Sequence, residues 1–171
     1  MSIHRARLLN AVLLLALFAG SAWAYPRLPE RIPIHFDLTG QPDGWASRST
    51  GWFLLPVIAL ALAAFLHAVA AYSANHPETW NVPDKRRFLA LDPQARAPIT
   101  AKLRAFVAWV GVVVTAMMCV IQAAVFRAAT GASRGLPPWA MAAIVASVLV
   151  MVAGGLRLNR VVGRMIREAA G

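Results

Sequence analysis

Residues 105–126 read AFVAWVGVVVTAMMCVIQAAVF. These 22 positions carry no Asp, Glu, Lys or Arg, and Arg104 and Arg127 close the two ends. A helix crossing the hydrocarbon core of a bilayer needs about 20 apolar residues, so the stretch predicts a membrane span. Working outward, similar uncharged runs recur: 19 residues between Arg7 and Arg27, 29 between Arg48 and Glu78, and 22 between Arg134 and Arg157. The spans are expected at about 8–25, 52–73, 105–126 and 139–156, with an outer loop 26–51, an inner loop 74–104 and a basic tail 157–171. The expected fold is an all-α polytopic membrane protein, one membrane domain over 1–171, with four transmembrane helices and a short extracytoplasmic hairpin-like loop.

Composition agrees with this division. Hydrophobic residues make up 59% and charged residues 14%, against about 45–50% and 25% in soluble domains. The net charge of +10 points to neither DNA nor RNA, because the basic residues flank apolar spans instead of gathering on one soluble face. No nucleic acid partner is expected. With the N-terminus inside, the cytoplasmic segments hold Arg5, Arg7, Lys85, Arg86, Arg87, Arg96, Lys102, Arg104, Arg157, Arg160, Arg164 and Arg167. The outer segments hold only Arg27, Arg31, Arg48, Arg127 and Arg134. The positive-inside bias therefore favours cytoplasmic N- and C-termini. Trp23, Tyr25, Trp52 and Trp139 fall at the outer boundary and Tyr72 and Trp80 at the inner one, as an aromatic belt requires. Span one has a second reading as a cleaved secretory signal, from its basic start, its leucine-rich middle and Ala22-Trp23-Ala24. Cys119, the single cysteine, excludes an intrachain disulfide.

The outer loop carries the most information. Ile32, Ile34, Phe36 and Leu38 alternate with Pro33, His35, Asp37 and Thr39, a period of two that predicts a half-buried strand. Pro33 cannot donate to a ladder, which makes this an edge strand. Gly40 and Pro42-Asp43-Gly44 supply turn residues, and Trp45 to Thr50 is expected to return as the partner strand. Two dozen residues cannot bury a core of their own, so the hairpin is expected to rest on the bundle or on the membrane surface.

With those residues in view, the chain resembles a bacterial integral membrane family, a domain of unknown function shared with SdpI-type immunity proteins against a secreted peptide toxin. The resemblance rests on Tyr25-Pro26, Leu28-Pro29, Ile32-Pro33, His35-Phe36, Gly40 and Pro42-Asp43-Gly44-Trp45 after a first membrane helix. It covers Leu8 to about Ala71, and Asn75 to Pro83 with Arg86-Arg87-Phe88 is similar to the connector of four-helix members. SdpI-type proteins carry further spans beyond this domain. The resemblance implies a protein of the bacterial cytoplasmic membrane with a role in sensing, immunity or the envelope and no described catalytic activity.

Few residues suggest chemistry. His35 and Asp37, two apart on a strand, with Asp43 across the turn, form an incomplete set for a cation. The alternative is structural, with Asp37 and Asp43 capping turns and His35 bonded to backbone. The expected count of metals and cofactors is none. Asn10, His67 and Gln122 are the polar residues within spans, where such groups are costly. They are expected to form interhelical hydrogen bonds, His67 with Asn10 or Thr115. Ala59 with Ala63, Ala64 with Ala68 and Ala143 with Ser147 have the small-xxx-small spacing of close helix contacts. The inner loop, and a tail with Arg157, Arg160, Arg164 and Arg167 on one face, are expected to contact anionic lipid.

The chain has no nucleophile elbow, no H-E-x-x-H and no phosphate-binding glycine loop, so no enzyme is expected. The leading expectation is recognition at the outer face, where the loop meets a peptide, a lipid or an envelope protein, with the signature residues Pro29, Ile32, Pro33, His35, Phe36, Asp37, Gly40, Pro42, Asp43, Gly44 and Trp45 at its centre. The alternative is a small transporter or an accessory subunit of a transport complex, using His67 and Gln122.

Overall fold

The computed structural model describes residues 2–170. Helix α1 (Ile3–Ala24) opens on Ser2, whose hydroxyl accepts the Arg5 N–H and caps the first turn. A 3-10 turn at Tyr25–Arg27 leads into an antiparallel hairpin, β1 (Arg31–Phe36) with β2 (Pro42–Ser47). One helical turn, α2 (Arg48–Gly51), hands the chain to α3 (Leu54–Asn75). A second 3-10 turn at Pro77–Thr79 precedes α4 (Lys85–Ala90), α5 (Pro93–Ala129) and α6 (Pro138–Ala169). Helices α1, α3, α5 and α6 are each long and apolar enough to cross a membrane. The protein is a multi-pass, mostly helical membrane protein, as the uncharged runs predict.

Helix α5 is central, since α1, α3 and α6 all pack on it. At Gly154 of α6 an added Cβ would come within 3.2 Å of Phe106 of α5, so the glycine permits a close crossing. Val145, Val148, Leu149, Val152 and Leu156 of α6 stay exposed, an apolar surface suited to lipid. Pro56 is buried in the first turns of α3, where a missing N–H costs least. Of the small-residue pairs, Ala59 is buried, whereas Ala64 and Ala68 are exposed.

The helices overrun the expected spans. Residues 93–104 of the expected inner loop, and the basic tail as far as Ala169, are helical and continuous with α5 and α6. Arginine and lysine mark where the bilayer ends, and backbone hydrogen bonding continues past that point. The Asp92 carboxylate starts α5 by accepting the Ala95 N–H at 2.8 Å, with Pro93 at the first position. At about 1.5 Å per residue the 37 residues of α5 reach about 55 Å, far beyond the ~30 Å hydrocarbon core. The protruding ends of α5 and α6 enclose α4 in an apolar core of Trp80, Phe88, Leu91, Ile99, Val162 and Ile166. The Trp80 indole N–H donates to the Ser73 carbonyl at 2.8 Å and ties this core to α3. Val162 and Ile166 are thereby buried against protein, so this apolar side of the tail does not lie on a membrane surface.

Phe88 is wholly buried at the centre of that core. Phe88→Ala is expected to cost about 3–5 kcal/mol in denaturant unfolding of the detergent-solubilised protein. Val148→Ala, on the outward side of α6, is expected to change stability little in the same assay.

Candidate functional site

At the hairpin end of the bundle, the buried amide of Gln122 lies between three helical segments. Gln122 on α5 is only 6% exposed. Its Nε2 donates to the Ser21 hydroxyl of α1 at 3.2 Å and to the Trp52 carbonyl between α2 and α3 at 3.0 Å. The Trp52 indole N–H closes the triangle on the Ser21 carbonyl at 2.8 Å. Trp52 and Phe126 rings lie 6.2 Å apart, and Ala24, Leu28, Ile32 and Val125 complete the apolar seat around them.

The hairpin sits on that seat. Ile32 is fully buried and Phe36 packs beside it. Strict alternation fails, because the register shifts between Pro33 and His35 and again between His35 and Phe36. Such an irregularity redirects side chains, so Pro33 turns inward while Ile34 is exposed. Leu38, expected on the buried face, falls in the turn and is fully exposed. The return strand also begins earlier than expected, at Pro42, and residues 48–51 form α2 instead.

Asp37 caps the turn. One carboxylate oxygen accepts the Thr39 hydroxyl at 2.6 Å, the Thr39 N–H at 2.8 Å and the Gln41 N–H at 2.9 Å. The Thr39 hydroxyl first, and then the Gln41 N–H, hold this carboxyl below its ordinary value. Gly40 adopts φ +82°, and its carbonyl accepts the Leu136 N–H at 2.8 Å, so the α5–α6 loop clamps the turn. His35 Nδ1 lies 2.5 Å from Asp43 Oδ1, an ion pair or hydrogen bond in place of the expected bond to backbone. Gly44 is opposite His35, and a Cβ there would come within 2.8 Å of the His35 Cβ. Below the hairpin, the Arg48 guanidinium donates to the Leu28 carbonyl at 2.9 Å, and the Arg48 N–H donates to Glu30 O. Pro29, between those two carbonyls, is exposed. Pro42 pairs with Phe36, and Trp45 pairs with Pro33 while remaining 50% exposed.

Two apolar hollows flank the Gln122 triangle. One of about 130 Å³ lies under the hairpin among Ile32, Phe36, Leu55 and Val125. A groove of about 270 Å³ runs between α1 and α5 past Gly20, Trp23, Cys119 and Ala123. Gln122 and Trp52 line both. Such surfaces suit an apolar chain or side chain. The His35, Asp37 and Asp43 set does not converge, because Asp37 is spent on its turn; among the described residues no three His, Cys, Asp or Glu gather as a metal site.

His67 and Asn10 make no hydrogen bond to each other, nor His67 to Thr115, among the described residues. They line a cavity of about 30 Å³ together with Arg7, and Asn10 Oδ1 and Arg7 Nε are buried there without partners. Gly111 on the facing helix leaves this space open, and the volume holds about one water. The expected interhelical bond is thus replaced by a polar pocket. Arg7 and Asn10, three apart on α1, share a helical face, the signal that could have placed the arginine beside His67. From the sequence Trp52 is expected only as a belt residue at the outer boundary, and Ser21 carries no expectation; a lone serine in an apolar run is the available signal for it.

The class of the molecule is therefore a four-span membrane protein with a hairpin cap. Residues 12–60 match the family described as Domain of unknown function (DUF1648). The matched segment contains Ser21, the hairpin and Trp52, and it ends within α3, before Gln122. No curated protein and no solved structure matches the chain.

Because Asp37 is held below its ordinary value near 3.8, its carboxylate favours the closed turn above that value, and the contribution is lost as pH falls through the lowered one. Trp45 fluorescence titrated from neutral pH to acid is expected to report loosening only below that ordinary value. Asp37→Ala is expected to start looser at neutral pH and to lack that component of the acid transition.

Proposed function

We propose that this protein is a non-enzymatic recognition component of a bacterial cytoplasmic membrane, of sensing or immunity type, with both termini in the cytoplasm and the hairpin outside. The observation that carries the reading is the surface of the hairpin. Its turn is capped by Asp37 and clamped at Gly40, and Ile32 and Phe36 are spent on the seat, yet Ile34, Leu38 and Trp45 are left exposed. A rigid element presenting large apolar side chains suits a peptide or an envelope protein. A two-stranded sheet also leaves strand edges to which an extended peptide could add. The resemblance to SdpI-type proteins favours immunity to a secreted peptide within this class.

A second reading, a transporter or accessory subunit, draws on the polar cavity of Arg7, Asn10 and His67. At about 30 Å³ that cavity is far smaller than the 300–1,000 Å³ or so of ordinary ligand pockets, which favours the first reading.

A photo-crosslinking residue placed at Leu38 or Trp45 in intact cells is expected to give a discrete protein or peptide adduct. The same residue at Leu149, on the outward side of α6, is expected to give lipid adducts only. Lipid adducts at all three positions would contradict recognition through the hairpin. Loss of the cellular phenotype in His67→Ala, with hairpin variants unaffected, would move the function to the polar cavity.

A further inference from the structure

Arg96, Thr100 and Arg104 recur every four residues along α5 and so share one face of the helix. Opposite them α3 ends at Asn75, and between the two helices opens a cavity of about 400 Å³. The apolar run of α5 starts at Ala105 and that of α3 stops near Ser73, which sets the cavity at the level of lipid headgroups. Pro93 also lines it, so the first turn of α5 contributes the positive end of its helix dipole.

The arginines here are incompletely satisfied. Nε of Arg96 and Nε of Arg104 are both buried without a hydrogen-bond partner, an unfavourable state for a charged donor group. Among the described residues no carboxylate pairs with either: Asp43 is with His35, Glu78 with His76, and Asp84 with Arg87. The Asp92 carboxylate caps α5. Arg96 Nη2 reaches the Leu89 and Leu91 carbonyls at 3.2 and 2.5 Å and is thereby fixed in place. The Arg104 side chain donates to no described residue. A second basic hollow on α6, lined by Arg160, Arg164 and Arg167, differs in this respect, because its arginines are exposed and none has a buried atom awaiting a partner.

We propose that the cavity between the end of α3 and the start of α5 binds a phosphate group, held by the Arg96 and Arg104 guanidinia with Thr100 and Asn75 as neutral donors. Guanidinium forks match phosphate oxygens in charge and geometry, and basic pockets between membrane helices receive anionic headgroups. An anionic phospholipid and inorganic phosphate share this chemistry. The site is independent of the hairpin reading.

The test is native mass spectrometry of the delipidated full-length protein with added phosphatidylglycerol or phosphatidylcholine. A parallel arm measures thermal unfolding in inorganic phosphate against chloride at equal ionic strength. Phosphatidylglycerol is expected to be retained in preference to phosphatidylcholine, and Arg104→Gln is expected to weaken that retention by about tenfold. Arg160→Gln with Arg164→Gln is expected to leave it unchanged. Thr100→Val, which keeps both charges, is expected to weaken it by about threefold and serves if Arg104→Gln proves unstable. Stabilisation by phosphate alone, lost in Arg104→Gln, would identify the free anion as the source. Wild-type affinity of Arg104→Gln and Thr100→Val for both ligands would overturn the proposal.

Discussion

A single buried amide organises the hairpin end of this protein. In hydrocarbon no water is at hand to satisfy a polar group, and Gln122, 6% exposed, turns that constraint into a fixed geometry. Its two hydrogen bonds reach Ser21 and Trp52, and the Trp52 indole returns to Ser21. Each such bond contributes only about 0.6–1.7 kcal/mol, but together they set α1, α5 and the entrance to α3 in one register. Trp52 then presents the apolar seat on which Ile32 rests, so the orientation of the hairpin follows from that of the amide.

The opposite end follows a different logic. There α5 and α6 project past the bilayer, and Phe88, Ile99 and Ile166 bury one another in a small core of their own. The arginines around it are mostly solvated, whereas Arg96 and Arg104 are partly drawn into a cavity without a carboxylate. Helices α3, α5 and α6 run between the two ends, and each end holds an apolar core of its own. A ligand at either one therefore acts on a structure whose other end has its own support.

Much of this was legible in the sequence, for physical reasons that also mark where legibility stopped. Uncharged runs are set by the thickness of the bilayer, so the four spans were visible. Charge says nothing of where a helix ends, and the Asp92-Pro93 start of α5 and the burial of Val162 were not visible in it. The alternation from Ile32 to Leu38 and the Pro42-Asp43-Gly44 run announced the hairpin. Its register shifts, which expose Ile34, depend on the fit of His35 against Gly44, a tertiary matter. Gln122 was recognisable as a polar residue in a span, but its partners lie about 70 and 100 residues away and no local pattern names them. His67 shows the converse: its chemistry was evident, and the helix packing set Arg7 beside it.

The most direct measurement is backbone hydrogen exchange of the protein in lipid nanodiscs, comparing wild type with Gln122→Leu, which keeps the volume and removes the amide. Exchange of the β1 and β2 amides and of Trp52 is expected to accelerate by about tenfold or more, since two bonds of roughly a kilocalorie each are lost, while the core around Phe88 keeps its protection. Unchanged exchange across residues 31–52 in the variant would contradict the account, because the hairpin would then hold its place without the amide.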